Sequence, residues 1–156
     1  MGDPRRIRSS VVRPKQPWSS ERLREELVLM GQFGLRSKRE LYSAESFLRK
    51  MRRVARSYLA LPAEERASRE RELISRLHRL GLVEERATLE SVLSLDLSSI
   101  LSRRLQSIVQ ARGLAKSLHE ARQLVTHGKI AIDDAVVRTP GKMVTREEEQ
   151  RVALAS

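Results

Sequence analysis

The chain has 156 residues, no cysteine, and 31 Lys+Arg against 20 Asp+Glu, a net charge of +11 with a pI near 11.1. The length allows one or two compact domains. The lack of cysteine excludes disulfides, thiolate zinc sites and cysteine nucleophiles, and suits a reducing cytoplasm. No apolar run reaches the roughly 18 residues of a membrane span, and the arginine-bearing start has no apolar h-region of a secretory signal.

A pI this high is the electrostatic footprint of a polyanion partner. The charge is also segregated. Residues 1–56 carry 15 basic and 6 acidic side chains, residues 57–101 carry 6 and 8, residues 102–144 carry 8 and 3, and residues 145–156 carry 2 and 3. A surface built only for solubility has no need of two basic blocks around an acid-leaning middle; two phosphate-contacting surfaces do.

Residues 1–18 read as an extended basic segment. Pro4, Pro14 and Pro17 punctuate it, and Arg5, Arg6, Arg8, Arg13 and Lys15 have little apolar company, so it orders only against a partner. A helical region spans 19–100. Ser19 is a candidate N-cap, with Trp18 placed to staple onto Leu23; Leu23, Leu27 and Met30 recur at helical spacing, and Gly31 and Gly34 end the helix. Ser37 and Glu40 then form an S-x-x-E capping box that opens a helix to about Leu59. Its apolar side is Leu41, Ala44, Phe47, Leu48, Met51, Ala55 and Tyr58. Arg49, Arg52, Arg53 and Arg56 fall within about a 100° arc on the other side, with Lys50, Lys38 and Arg39 at or near its edge. A solvated face is the ordinary explanation of such a stripe. No acid interrupts Arg49 to Arg56, however, and like charges at i,i+4 weaken a helix; phosphate neutralisation makes sense of the row.

Pro62, Glu64 and Glu65 suit the first turn of a further helix with Leu73, Ile74, Leu77 and Leu80 on its apolar side and Gly81 at its end. Leu101, Leu105, Ile108 and Val109 line one face of the next helix, with Arg103, Gln106 and Gln110 opposite and Gly113 closing it. Ser117 and Glu120 form a second capping box before a short helix with Leu118, Ala121, Leu124 and Val125 inside. Ile130–Ile132 and Ala135–Val137 around Asp133-Asp134 read as a hairpin, and Pro140-Gly141 as a turn. The tail, 145–156, has no assigned element.

The stretch RRLQSIVQARGLAKSLHEARQLVTHGKIAI, from Arg103 to Ile132, with P-G-x-x-V at Pro140 to Val144, closely resembles the RNA-binding module named after ribosomal protein S-four. The opening MGDPRR and the segment GLRSKRELYSAESFLRKMRRVARSYLA resemble the archaeal and eukaryotic branch of the small-subunit ribosomal protein S-four family itself. The resemblance covers essentially residues 1–144. It implies a mainly α (α+β) protein: a helical region, 19–100, and a module, 101–144, of two helices and a β-hairpin. By motif position it points to Arg103, Arg104, Gln106, Lys116, Ser117, Arg122, Gln123, His127 and Lys129 as RNA contacts. It also implies binding to a helical junction in the 5′ domain of small-subunit ribosomal RNA, neighbouring small-subunit ribosomal proteins, a position beside the messenger entry channel, and a place in the cytoplasmic small ribosomal subunit. The family commonly has Asn-Gly at the hairpin turn; Asp133-Asp134 here implies a longer loop or a tip aimed away from phosphate.

The expected mechanism is recognition of RNA shape and backbone. A-form RNA hides its base edges in a narrow major groove, and arginine's planar fork suits bidentate phosphate contact; only Lys15, Lys38 and Lys50 of the 15 basic residues in the first block are lysine. Aromatics make up 3% of the chain, too few for a base-stacking platform. Two other readings use the same module: an RNA-modifying enzyme, which this length leaves no room for, and a stand-alone RNA chaperone, which the N-terminal resemblance disfavours. His78, His119 and His127 lie on different segments, so the sequence suggests no catalytic site, and it suggests no metal or cofactor.

Overall fold

Residues 11–155 are described in the computed structural model, so Arg5, Arg6, Arg8 and the MGDPRR motif lie outside the described residues. Helices α1 (Ser20–Gln32), α2 (Lys38–Leu59), α3 (Ala63–Arg79), α4 (Leu89–Leu93) and α5 (Leu97–Ser102) make the first lobe. Helices α6 (Leu105–Ala111), α7 (Leu118–Thr126) and α8 (Arg146–Gln150), with strands β1 (Ile130–Ile132), β2 (Ala135–Val136) and β3 (Val152–Leu154), make the second. The chain is mainly helical with a small antiparallel sheet, as the sequence implies.

Two apolar cores meet at the chain crossing between Leu101 and Leu105. The first gathers Leu41, Leu48, Met51 and Ala55 of α2, Leu73 and Leu77 of α3, Leu89 and Val92 of α4, and Ile100 and Leu101 of α5. The second gathers Leu105 and Val109 of α6, Ala121 and Val125 of α7, Ile130 and Ile132 of β1, Val144, and Val152 of β3. Leu41, Leu77, Leu101 and Leu105 are fully buried, each worth about 1.5–3 kcal/mol relative to exposure.

The helix read across Leu101 to Val109 is two helices. Between them, Arg104 is extended (ψ 145°) and bridges Met143. Leu105 N donates to Lys142 O, Gln106 N to Pro140 O, and Val144 N to Arg103 O, at 2.8, 3.2 and 3.0 Å. The returning segment 140–144 therefore supplies strand-like partners that helix continuation would lose.

The unassigned tail completes the second lobe. Thr145 and Glu148 form a reciprocal capping box at the start of α8, and β3 pairs with β1, giving the order β2-β1-β3. The hairpin turn is neither long nor irregular. Ile132 pairs with Ala135, and Asp133 and Asp134 both take positive φ, 50° and 66°, as a two-residue type I′ turn demands. Aspartate is among the few side chains that tolerate this region, and Arg151 Nη1 bonds Asp133 Oδ1 at 3.0 Å.

The start of α1 departs from expectation. Trp18 is 87% exposed and forms no staple, and Leu27 is exposed. Leu29 and Met30 pack against the first core, and polar contacts fasten the earlier turns. The buried carboxylate of Glu26 accepts from Arg22 Nε, Lys38 Nζ and Tyr42 OH at 2.7, 2.9 and 3.2 Å. Burial pushes Glu26 up, yet Lys38 and Arg22 hold it below the usual carboxylate range.

Candidate nucleic-acid interface

Helix α2 owes its length to a clean apolar period and to the good helix formers on its outer side. That geometry presents Arg49, Lys50, Arg53 and Arg56 to solvent, and among the described residues none of their side chains has a hydrogen bond or ion pair. This is a row of unneutralised positive charge on a rigid helix. Arg52 differs: half-buried, it donates from Nη2 to Leu95 O at 2.5 Å and so ties α2 to the segment before α5.

The first capping box is not formed. Ser37 makes no side-chain cap bond, since Glu40 N donates to Ser37 O instead at 3.1 Å, and the Glu40 side chain reaches into the seam between the lobes. Its Oε1 accepts from Arg122 Nη2 at 2.8 Å, and its Oε2 accepts from Arg122 Nη1 at 3.2 Å and from Arg104 Nη2. Gln106, 1% exposed, donates from Nε2 to Gly34 O and Leu118 O, both at 3.0 Å, and accepts from Arg122 Nη1 at 3.2 Å. Arg103 donates to Glu149 at 2.7 Å and to Val144 O at 3.0 Å, and its guanidinium lies against Gly81. As placed, the donors of Arg103, Arg104, Gln106 and Arg122 serve the seam and the second lobe's own frame. Lys38 is likewise engaged, on Glu26.

The other expected contacts lie outward. Arg13, Arg39, Lys116, Gln123, His127 and Lys129 are exposed. Ser117 is exposed but caps α7, accepting from Glu120 N at 3.2 Å; the Glu120 carboxylate turns to Lys116 N at 2.6 Å, so this box is half formed. A groove of about 330 Å³ runs along the seam, lined by Gly34, Leu35, Arg36, His119, Arg122, Gln123, Thr126 and His127. Its two histidines stand at opposite ends of α7, His119 in the first turn and His127 at the C-cap. The groove also adds Arg36 and His119, whose only sequence signal is proximity: Arg36 follows the Gly34 turn, and His119 sits one turn before Arg122.

A family profile for the S4 domain matches residues 103–149, starting at the break between α5 and α6. Over 155 residues the chain is 53% identical to the small ribosomal subunit protein uS4 of Ignicoccus hospitalis, covering 99% of this chain and 93% of that protein. The uS4 protein of Hyperthermus butylicus is 49% identical over 99% of this chain and 88% of its own length. That of Saccharolobus solfataricus is 46% identical over 97% and 84%. The chain belongs to the uS4 family. The similarity runs over nearly the whole length and so spans both lobes, well beyond the S4 domain. Strand β3 lies just past the matched S4 segment yet pairs with β1 inside it.

Proposed function

We propose that this chain is a structural constituent of the small ribosomal subunit, where it binds small-subunit ribosomal RNA and supports subunit assembly and translation. The observation that carries this is near full-length similarity to proteins named as small ribosomal subunit protein uS4, joined to an S4 domain in its second lobe. Such a component acts by binding and shaping RNA, not by turning over a substrate. It works in the cytoplasm, within the particle.

Two surfaces make the contact in this reading. One is the free row Arg49, Lys50, Arg53 and Arg56 on α2, with Arg39 on the same helix and Arg13 beside Val12, whose N–H donates to Ser46 Oγ of α2. The other is the exposed edge of the second lobe, Lys116, Gln123, His127 and Lys129, with the groove that holds Arg36 and His119. Phosphate contacts from these fix register, while shape and spacing select the site. The site we propose is a helical junction in the 5′ domain, with ribosomal proteins and the messenger entry channel as neighbours. Quantitative mass spectrometry of purified small subunits tests the assignment. One copy per subunit that stays bound through a gradient is expected; substoichiometric binding that washes away with salt favours the stand-alone chaperone.

A further inference from the structure

The carboxylate of Glu40 is shared by two arginines of the second lobe. Arg122 grips it with both Nη atoms, and Arg104 bonds the same Oε2 that accepts from Arg122 Nη1. One negative charge therefore restrains two positive ones. The side chains of Arg104 and Arg122 are only 7% and 20% exposed, and Arg104 Nη1 is buried with no hydrogen-bond partner. Burial pushes the Glu40 carboxyl up, but the bonds from Arg122 and Arg104 outweigh it and keep it below the usual carboxylate range; at neutral pH it is charged. Gln106 extends the same cluster to Gly34 O and Leu118 O. α2, which carries the free arginine row, is thus tied through one residue to α6 and α7.

We propose that Glu40 sets the RNA specificity of this protein without touching RNA: it withholds Arg104 and Arg122 from phosphate and fixes the angle between the α2 row and the second lobe. The inference rests on the RNA-binding reading above. Phosphate contacts bind any RNA and carry no sequence information, so two unrestrained guanidiniums would add affinity without choice. Choice by shape needs two charged surfaces held at a set separation, so that the second contact is intramolecular and geometry decides whether it forms. A carboxylate gripped by an arginine fork competes directly with phosphate for the same donors.

The test compares wild type with Glu40→Gln, which keeps size and removes charge. Each is titrated against a 5′-domain junction transcript and a plain RNA duplex of equal length, across a salt series. The expected result has three parts. Duplex affinity rises about three- to tenfold, its log-log salt slope steepens by about 1–2 as up to two phosphates are newly contacted, and the junction-to-duplex preference falls at least tenfold. The cysteine-free sequence allows paired spin labels at Ser68→Cys and Ala135→Cys, both exposed, whose distance distribution should broaden in the variant. Glu40→Asp keeps the charge but shortens the reach; it should shift slope and preference the same way by less, and it serves if the glutamine variant folds poorly. Equal loss of both affinities with an unchanged slope would make Glu40 a stabilising residue only and overturn the proposal, as would an unchanged preference. A wild type that shows no preference and no salt dependence overturns the RNA-binding reading itself, and is told apart because the failure appears before any substitution.

Discussion

Gly34 is where a single methyl group should separate the lobes most effectively. Its φ is +57°, and a Cβ there would lie 2.9 Å from Gln106 Nε2 and 2.9 Å from Leu118 Cβ. Gly34→Ala therefore carries two costs. The left-handed backbone costs about 1 kcal/mol after allowing for the stiffer unfolded chain. The clash must displace the Gln106 amide, whose two bonds to Gly34 O and Leu118 O are both 3.0 Å; losing two buried bonds costs about 2–3 kcal/mol more. Gly113 supplies an internal control, since its φ is +74° but a Cβ there would meet nothing within 4 Å, leaving the backbone cost alone. At about 2–4 °C per kcal/mol for a chain of this size, Gly34→Ala should lower the midpoint by roughly 6–16 °C and Gly113→Ala by roughly 2–4 °C. Thermal and urea unfolding followed by circular dichroism give both numbers. Equal losses would show that the seam yields freely at Gln106 and Leu118, and would refute the reasoning.

Three other outcomes are expected. Changing Arg49, Arg53 and Arg56 together to Gln should leave the helical spectrum intact and weaken RNA binding at least tenfold in filter binding, whereas Arg52→Gln should instead cost about 1–2 kcal/mol of stability through its lost bond to Leu95 O; unaltered affinity in the triple variant would return the row to a solvated face. If about six phosphates are neutralised, log affinity should fall with log salt at a slope of about −4 to −5, and a slope near zero in the titration would exclude the basic surfaces as the contact. Glu40, Glu26 and Glu148 are all held below the ordinary carboxylate value of 4.5, so their stabilisation is complete above that value and lost as pH falls through their folded-state values; unfolding free energies measured from about pH 6 to about pH 3 should decline steadily, less steeply in Glu40→Gln, and a flat profile would contradict the ion-pair assignment.

What the sequence disclosed and what it hid follow from the range of each interaction. α2 was legible because its apolar period runs for six turns and its outer arginines are uninterrupted. The hairpin was legible from the β-branched runs on either side, but its two-residue turn was not, because Asp133-Asp134 departs from the Asn-Gly pair such a turn favours. Glu40 was misread because S-x-x-E is a local pattern, while its partners stand 64 and 82 residues along the chain. The break at Arg104 was invisible because Leu101, Leu105 and Ile108 keep a helical period straight through it; the pairing with residues 140–144 overrides that period. β3 offers only the three residues Val152, Ala153 and Leu154, a run too short to announce a strand. The T-x-x-E of Thr145 and Glu148, by contrast, was readable and lay hidden only by its acidic surroundings. In the candidate interface, exposure followed from the α2 stripe, but Arg52, at its edge, turns to a carbonyl no periodicity reveals.

β1 is the middle strand of its sheet, and one of its two neighbours is the last element in chain order among the described residues. The outer edge of Ile130–Ile132 toward β3 therefore stays unpaired until Val152–Leu154 have been made. Synthesis delivers α1 to α5 well before that point, and earlier domains generally fold first. A nascent chain on its way out of the translation machinery would then hold a finished helical lobe beside a half-built sheet, with a bare strand edge open to stray pairing. Strand β3 thus acts as a closing piece, and deleting Val152–Leu154 would leave a chain prone to aggregate during its own production.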